Sequence, residues 1–461
     1  MSNPVTEAGS ASTTLHALSG ADQRTGAAGE PQVSGTSGTP RTSEGARSGA
    51  SGAVETSEVP PRSEVARASE ELTVAGIRAA IAPVLRRLAE TAGEREAARD
   101  FAFDEVRALA VAGIVLTGIP ISEGGAGGSV RDVFDLIIEV ARADSSVAQA
   151  LRSSFLLADQ VISRPDLPNR EASLQRIRDR ALFAGTANER NGGPSGEVTA
   201  TARRDGEDWI VDGDKYYSTG GLYASWFATQ ARTEDGEVIR FTVPFDREGV
   251  ERLDDFDAVG QRLTASGTTR LRGVRVAAAE VSVIGEYKFD NPFTGAVAQL
   301  YLAAVQAGLA ARALDDAVWF VREKARPIKH STADKSVDDP YVRQTVGEIA
   351  ARAQAARSVV LLAAEAIEGV RGRTGDDARQ AGAEASVQVA QAGVIAIESA
   401  LKAAELLFDV GGGSITDRGL GFDRHWRNAR TAANHNPRQW KQAVAGAYHL
   451  TGAEPPTTGL F

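Results

Sequence analysis

The 461-residue chain contains no cysteine, a single methionine and only five histidines. Without cysteine it cannot form a disulfide, a thiol nucleophile, a zinc ribbon or an iron–sulfur cluster. The histidines, at positions 16, 330, 425, 435 and 449, form no HExxH pair, so a histidine-rich metal site is not expected. The formal net charge of −10 argues against a dedicated nucleic-acid-binding protein, which would carry a basic face.

The first 70 residues lack Phe, Trp and Tyr, and 40 of them are Gly, Ala, Ser or Thr. Such a segment buries too little apolar surface to offset its chain entropy, so residues 1–70 are predicted to form a disordered extension. A targeting peptide is not favoured, because the segment has no apolar stretch after a basic start and carries several acidic residues. No apolar run reaches the roughly 18 residues of a membrane span, and we expect a cytoplasmic protein.

Beyond residue 70 the apolar pattern changes twice. Residues 71–181 place apolar side chains at helical spacing, as in LTVAGIRAAIAPVLRRLAET, and predict an N-terminal helical domain. Residues 182–285 hold short alternating or β-branched segments, which predict a central, mainly antiparallel β-barrel or sandwich. Residues 286–461 predict a C-terminal bundle of long helices. The fold class is therefore α+β and mostly helical, and the segregation of helices from strands excludes a Rossmann sheet.

Three features of the sequence each allow two interpretations. The long C-terminal helices, such as ASVQVAQAGVIAIESALKAAELL, are apolar around much of their circumference, which fits either self-association or a purely intramolecular bundle. The glycines Gly411–Gly413 either end a helix or let the backbone approach a phosphate or flavin. The loop ERNGGPSG at residues 189–196 is either a lid over a ligand or a plain hairpin connection.

The densest polar cluster lies between Asp423 and Asn436 and includes three arginines and two histidines. It is either a charged surface helix or an anion-binding and proton-transfer segment. Imidazole is the side chain whose unperturbed pKa lies near neutrality, and His435 stands directly before Asn-Pro, where helices end. His435 is therefore the candidate proton-transfer group.

Six segments carry a resemblance to a known family: ADSSVAQALR (143–152), GDKYYSTGG (213–221), GQRLTASGTTRLRGVRV (260–276), VREKARPI (321–328), DDPYVRQTVGEIAARAQAAR (338–357) and DRHWRNARTAANHNPRQWK (423–441). With the helix–strand–helix order, the chain from about residue 72 to 455 resembles the acyl-CoA dehydrogenase superfamily. It is most similar to the flavin-dependent monooxygenase branch typified by dibenzothiophene monooxygenase. The resemblance implies the acyl-CoA dehydrogenase-like fold and reduced FMN supplied by a separate NAD(P)H-dependent flavin reductase, with FAD as the alternative cofactor.

The resemblance also implies a set of site residues. His435 falls on the position of the catalytic histidine. Thr186 stands where the branch has an asparagine, Ser153 where it has a tyrosine and Gln149 where it has a histidine, so the substrate stays open. The flavin would be bound by Ser153, Thr186, Ser218, Thr219, Arg326, Gly413 and Ser414, the last three reaching its phosphate from a neighbouring subunit of a homotetramer or dimer.

Three functions follow from these residues. The first is a two-component monooxygenase that uses reduced FMN and O₂, through a flavin C4a-(hydro)peroxide, to oxygenate a small organosulfur, heteroatom-containing or aromatic molecule. The absence of a Rossmann fingerprint favours the separate reductase. The second is an acyl-CoA dehydrogenase-type flavoprotein, but Thr431 or a neighbour replaces the glutamate base it needs. The third is a non-catalytic flavin-binding scaffold, to which the changes at positions 153 and 186 would point.

Overall fold

Helices form both ends of the described chain and strands form its middle. The structure is a computed structural model that describes residues 72–190, 197–285, 293–459 and 461. The extension predicted for residues 1–70 and most of the loop at residues 189–196 lie outside these residues. The predicted α+β, mostly helical class is confirmed; the division into domains at residues 181 and 285 stays a prediction.

The helices and strands have the following bounds. The helices are α1 (Val74–Ala98), α2 (Phe103–Val111), α3 (Val130–Ala143), α4 (Ser145–Ala150), α5 (Arg152–Ser163), α6 (Arg170–Arg178), α7 (Thr294–Glu323), α8 (Pro340–Glu368), α9 (Gly375–Leu406), α10 (Asp423–Ala433) and α11 (Arg438–Thr451). The strands are β1 (Phe183–Gly185), β2 (Thr201–Asp205), β3 (Asp208–Lys215), β4 (Trp226–Thr233), β5 (Val238–Pro244), β6 (Val250–Arg252), β7 (Thr269–Val276) and β8 (Val281–Ile284).

The N-terminal helices begin where polar side chains can satisfy their first backbone N–H groups. Ser129 and Asp132 form a capping box at the start of α3, because each side chain accepts a hydrogen bond from the other's backbone N–H. Asp144 caps α4 by accepting from the two backbone N–H groups of Ser146 and Val147. Leu151 separates α4 from α5, so α5 starts at Arg152.

The strands form one mixed sheet in the order β6-β7-β3-β2-β4-β5-β8, with β1 paired to β4 beside this path. Five pairings are antiparallel, while β1 and β2 pair with β4 in parallel. The mainly antiparallel prediction is confirmed, but the barrel is corrected: among the described strands β6 and β8 end the path and do not pair. A curved, sandwich-like sheet results, because closure would require those two edge strands to meet.

The C-terminal helices α7, α8 and α9 pack against one another, and α3 packs across α7. The crossing of α7 and α3 is close at Gly308, where an added Cβ would collide with Ala141. By length and composition α7 could also cross a membrane, but 78% of its apolar stretch is buried within the protein, as in the core helix of a bundle. The interior positions of the bundle are occupied mainly by alanine, which lets long helices approach closely.

Candidate active site

The turn after β3 reaches across to the junction of α4 and α5. Gly220 has φ +83°, and a Cβ there would collide with the carbonyl oxygen of Ala150. Three residues earlier, Tyr217 also has positive φ, at +62°, and its ring is 53% exposed. A non-glycine residue held in this conformation with an exposed aromatic ring is unusual and indicates a ligand-facing position.

Strand β1 docks on the same junction from the other side. Ser154 of α5 exchanges two hydrogen bonds with the backbone of Phe183, accepting from its N–H at 2.8 Å and donating to its carbonyl oxygen at 3.3 Å. Three residues on, the Thr186 hydroxyl donates to the carbonyl oxygen of Tyr216 at 2.9 Å and accepts from the N–H of Asn188 at 3.0 Å. The Thr186 side chain therefore joins the end of β1 to the turn after β3.

Thr219 is the first member of a chain of three hydroxyl groups. Its Oγ1 lies 2.9 Å from the hydroxyl oxygen of Ser266, which lies 2.7 Å from that of Thr264. The Thr264 hydroxyl donates to the carbonyl oxygen of Gln261 at 2.9 Å, and a carbonyl can only accept. Each hydroxyl has one hydrogen, so Ser266 donates to Thr264 and Thr219 donates to Ser266. Thr219 is thereby left as a hydrogen-bond acceptor toward any ligand.

His435 lies in the turn between α10 and α11. Its Nδ1 is 2.7 Å from the side-chain oxygen of Asn436, so Nδ1 carries the proton and Nε2 keeps a free lone pair. The side chain is exposed, yet enough protein surrounds it that desolvation, and then the positive charge of Arg152, lowers its pKa to about 4. His435 is therefore a neutral imidazole at pH 7, with Nε2 as a proton acceptor.

Arg152, the first residue of α5, lies between His435 and α7. Its Nη2 donates to the carbonyl oxygen of Ala298 on α7 at 3.3 Å. We call this region around Arg152, Ala298 and His435, together with the adjoining turn that carries exposed Tyr217 and half-buried Thr219 and contacts Ala150 through Gly220, the cleft. These contacts bring predicted residues from three parts of the sequence together, although no local pattern placed Arg152 in the site.

Two other predicted residues lie next to the cleft in different environments. Ser153 follows Arg152 in the first turn of α5 and is half-buried. Ser218 is buried between strands, where its hydroxyl accepts from that of Thr269 at 2.9 Å. The structure therefore places the Ser218 side chain inside the β-domain and that of Thr219 toward the cleft.

The predicted phosphate-binding residues lie together, but at the other end of α7. Ile328, two residues after the exposed Arg326, lies 3.7 Å from where a Cβ on Gly412 would be, so the loop after α7 contacts the glycines before Gly413 and Ser414. Gly411 packs on Phe320, near the end of α7. With a rise of about 1.5 Å per residue, Phe320 is about 33 Å along α7 from Ala298 at the cleft. Within one chain these residues and the cleft are therefore separate.

Most of the polar cluster around α10 is turned inward. Asp316 of α7 accepts from Arg424 at 2.9 Å and lies 2.7 Å from Nε2 of His425. Asp316 also pairs with Arg312 at 2.9 Å, and the positive groups around it hold the pKa of its carboxyl well below the usual range. Burial lowers the pKa of His425 to about 4. The two histidines of the cluster thus differ: His425 joins α10 to α7, whereas His435 faces the cleft.

Comparisons with known proteins support the resemblance and the fold. Residues 300–440 match the family described as acyl-CoA dehydrogenase, C-terminal domain. A dibenzothiophene monooxygenase from Mycolicibacterium goodii is 29% identical over 385 residues, which are 80% of this chain and 92% of that protein. The FMN-bound structure of TdsC from Paenibacillus sp. A11-2 aligns with a TM-score of 0.77 at 26% identity, over 84% of this chain and 100% of that one. In sequence and fold the chain is similar to the flavin-dependent monooxygenase branch of the acyl-CoA dehydrogenase superfamily.

A further member of this branch is a "probable FMNH2-dependent monooxygenase", SfnC of Pseudomonas putida, 28% identical over 375 residues, which are 80% of this chain and 93% of that protein. The resemblance and fold seen in the sequence are confirmed. Two features of the site were missed: the exposed ring of Tyr217 and the hydroxyl chain behind Thr219. The KYYST segment contained both Tyr217 and Thr219, but only the backbone conformation shows which side chains face outward.

The cleft fits a reduced flavin. The N5 atom of reduced flavin carries a hydrogen and can donate it, whereas N5 of oxidised flavin can only accept. The hydroxyl chain leaves Thr219 as an acceptor, which matches the reduced form. The exposed ring of Tyr217 offers an aromatic face to a planar ligand.

Proposed function

We propose that this protein is a two-component monooxygenase. It takes reduced FMN from a separate NAD(P)H-dependent flavin reductase and transfers one atom of O₂ to a small organosulfur compound. The observation that carries the proposal is the pairing, in one cleft, of a Thr219 hydroxyl fixed as an acceptor with a neutral His435 whose Nε2 is free. Relatives named for dibenzothiophene oxygenation and for FMNH2 dependence support it.

Each residue of the cleft has a separate role in the proposed reaction. Bound reduced FMN would supply the reaction with O₂ and the oxygen transfer. Thr219 accepts a hydrogen bond from the ring edge, and Tyr217 covers part of the ring and excludes water. Nε2 of His435 accepts one proton during the reaction and returns it afterwards, while Asn436 holds the imidazole through Nδ1.

The flavin phosphate is bound, in this proposal, by a second copy of the chain. Arg326, Gly413 and Ser414 lie about 33 Å along α7 from their own cleft, so they can serve only a cleft on another subunit. An arginine fork and free backbone N–H groups suit a phosphate dianion. Exposed apolar residues on this part of the surface, Trp319 and Ile328, support a homo-oligomer, which we propose is a tetramer.

A cytoplasmic location belongs to the same proposal, because NAD(P)H and the reductase must be in the same compartment as the protein to supply it with reduced FMN. The dehydrogenase alternative is not supported by the described cleft. The residue on α10 that falls on the position of the catalytic glutamate is Thr431 or a neighbour, and a threonine cannot act as the base for abstraction of a proton next to a thioester.

The test is oxygen incorporation with a matched pair of histidine variants. The protein is mixed with FMN, a flavin reductase, NADH, dibenzothiophene and ¹⁸O₂, and products are analysed by mass. We expect one ¹⁸O atom per product molecule. His435→Ala should lower this rate about 10²- to 10⁴-fold while FMN affinity is retained.

The control is His449→Ala, since His449 is exposed on α11 and its Nε2 contacts only Gln391 among the described residues. This variant should keep full activity. Equal rates in wild type and His435→Ala would contradict the catalytic role of His435. Reduction of bound flavin by an acyl-CoA, without ¹⁸O in any product, would instead favour the dehydrogenase alternative.

A further inference from the structure

Arg152 is a cation with no carboxylate partner among the described residues. Apart from the bond of Nη2 to the carbonyl oxygen of Ala298, no hydrogen bond or ion pair of its guanidinium occurs among residues 72–190, 197–285 and 293–459. Its Nε is buried and has no hydrogen-bond acceptor in that part of the chain. A buried guanidinium left in this way is unfavourable, because it has lost water without gaining an anion.

Two arginines that are more deeply buried are paired. Arg95 binds Asp144 at 2.6 Å, and Arg424 binds Asp316 at 2.9 Å, with both members of each pair less than a tenth exposed. Arg180, like Arg152, has no carboxylate partner among the described residues, but only Arg152 of these two lies beside Ala298 and His435. At that position an anion from outside the chain can pair with the guanidinium.

The neighbours of Arg152 in the cleft are also suited to an anion. One turn earlier, the side-chain oxygen of Gln149 is buried and has no partner among the described residues, and rotation of this amide would present its NH2 group to an anion instead. Lys441, on α11 after His435, adds a second positive charge nearby, its Nζ being bonded to Gln299 at 2.6 Å. Positive charge in a concave, partly desolvated region attracts anions.

We propose that Arg152 binds an oxyanion group of the substrate, a sulfinate or a carboxylate. Among possible substrates, the cleft should then prefer an organic acid anion to a neutral aromatic sulfide. This inference rests on the proposed function in one respect, that the cleft is the substrate site. The guanidinium offers two parallel N–H donors to two oxygen atoms of one group. A sulfone or an amide can also accept hydrogen bonds, but it carries no negative charge to pair with the guanidinium.

The experiment compares anions with neutral molecules of similar shape. Benzenesulfinate is paired with methyl phenyl sulfone, and benzoate with benzamide. Binding to the full-length protein saturated with oxidised FMN is measured by calorimetry in chloride-free buffer, without turnover. We expect at least one anion to bind about 10- to 100-fold more tightly than its neutral partner, the usual effect of a hydrogen-bonded charge. The stronger anion of the two identifies the head group.

Three variants assign the effect to Arg152. Arg152→Met should abolish the preference for the anion, and Arg152→Lys should keep part of it. Arg180→Met is the control, because Arg180 is also half-buried and also lacks a carboxylate partner in the described chain, but it packs on Gly113, away from the cleft. It should leave the preference unchanged. Thermal melts confirm that each variant is folded.

Two results would overturn the proposal: equal binding of anions and neutral molecules by the wild type, or an unchanged preference in folded Arg152→Met. The wild-type comparison decides the question even if the methionine variant does not fold. Because binding is measured without O₂ or reductant, failure of the proposed oxygenation does not affect this readout. Conversely, oxygenation of neutral dibenzothiophene without any anion preference would support the proposed function and reject the role of Arg152.

Discussion

The hydroxyl chain Thr219–Ser266–Thr264 should make the protein prefer reduced over oxidised FMN, and Thr264→Val should remove that preference. Valine keeps the shape of threonine but cannot donate to the carbonyl oxygen of Gln261. Ser266 can then donate to Thr219, whose own hydrogen becomes available to the ligand in competition with the carbonyl oxygen of Tyr217, a weak acceptor at 3.4 Å. Oxidised flavin, whose N5 is an acceptor, then gains a hydrogen bond from Thr219. Reduced flavin, whose N5–H is a donor, loses its acceptor.

The magnitude follows from the hydrogen bonds involved. In the wild type, reversing the chain would break the 2.9 Å bond from Thr264 to Gln261, whose net contribution is about 1 kcal/mol. The Gln261 oxygen would still accept from the N–H of Thr264 at 3.2 Å. It would not become a buried acceptor without a partner, so the larger cost of such an acceptor does not apply. Thr264→Val removes this preference for reduced FMN and replaces it with a similar preference for oxidised FMN. The ratio of the dissociation constants of reduced and oxidised FMN should therefore change by about 1–2 kcal/mol, or about 5- to 30-fold.

The assay is anaerobic titration of the protein with photoreduced FMN and, separately, with oxidised FMN, which gives the ratio of dissociation constants for each variant. Thr269→Val is the matched control: Thr269 is an equally buried hydroxyl of the same sheet, but it donates to Ser218 and is not part of the chain. It should leave the ratio unchanged. If Thr264→Val and Thr269→Val have the wild-type ratio, the direction assigned to the hydroxyl chain is wrong.

Two further predictions concern stability. Gly220→Ala should lower the free energy of unfolding, measured in urea, by about 2 kcal/mol, because it adds backbone strain and a collision with Ala150. Gly236 has φ +85° and open space around it, so Gly236→Ala should lower the free energy of unfolding by only about 1 kcal/mol. Equal losses in the two variants would refute the contact between Gly220 and Ala150. Because the pKa of buried His425 is lowered to about 4, the unfolded chain alone gains this proton as pH falls from about 6.5 to 4, and stability should decrease by about 3 kcal/mol over that window. His425→Gln should reduce this slope in pH-dependent denaturation curves, and an unchanged slope would show that His425 is not the group responsible.

The type of secondary structure along the chain followed from the spacing of apolar residues. A bundle of long helices was expected within residues 286–461, and three long helices there occupy Thr294–Glu323, Pro340–Glu368 and Gly375–Leu406. Helical periodicity over 30 residues is a strong local signal, which explains this agreement. Closure of the sheet was not predictable in the same way, because it depends on whether the distant strands β6 and β8 meet.

The candidate site was predicted only in part. The HWRNART and KYYSTGG segments led to His435 and Thr219 through the family resemblance, and both lie at one cleft. Their roles stay predictions. The sequence assigned no role to Arg152, because an arginine at the start of a helix is ordinary. Only the structure shows that it has no carboxylate partner among the described residues. The separation of Arg326 from the cleft likewise required the length and direction of α7.

The sequence alone determined the helix–strand–helix order, the family and the residue types available for chemistry, since these depend on local periodicity and on short segments. The tertiary structure decided which of those residues act together and in which protonation state. Thr219 became an acceptor through Gln261, 42 residues away, and the pKa of His435 is lowered by desolvation from the surrounding protein and by the charge of Arg152. Hydrogen-bond direction and desolvation are set by atoms that neighbour in space, and no pattern along the chain specifies them.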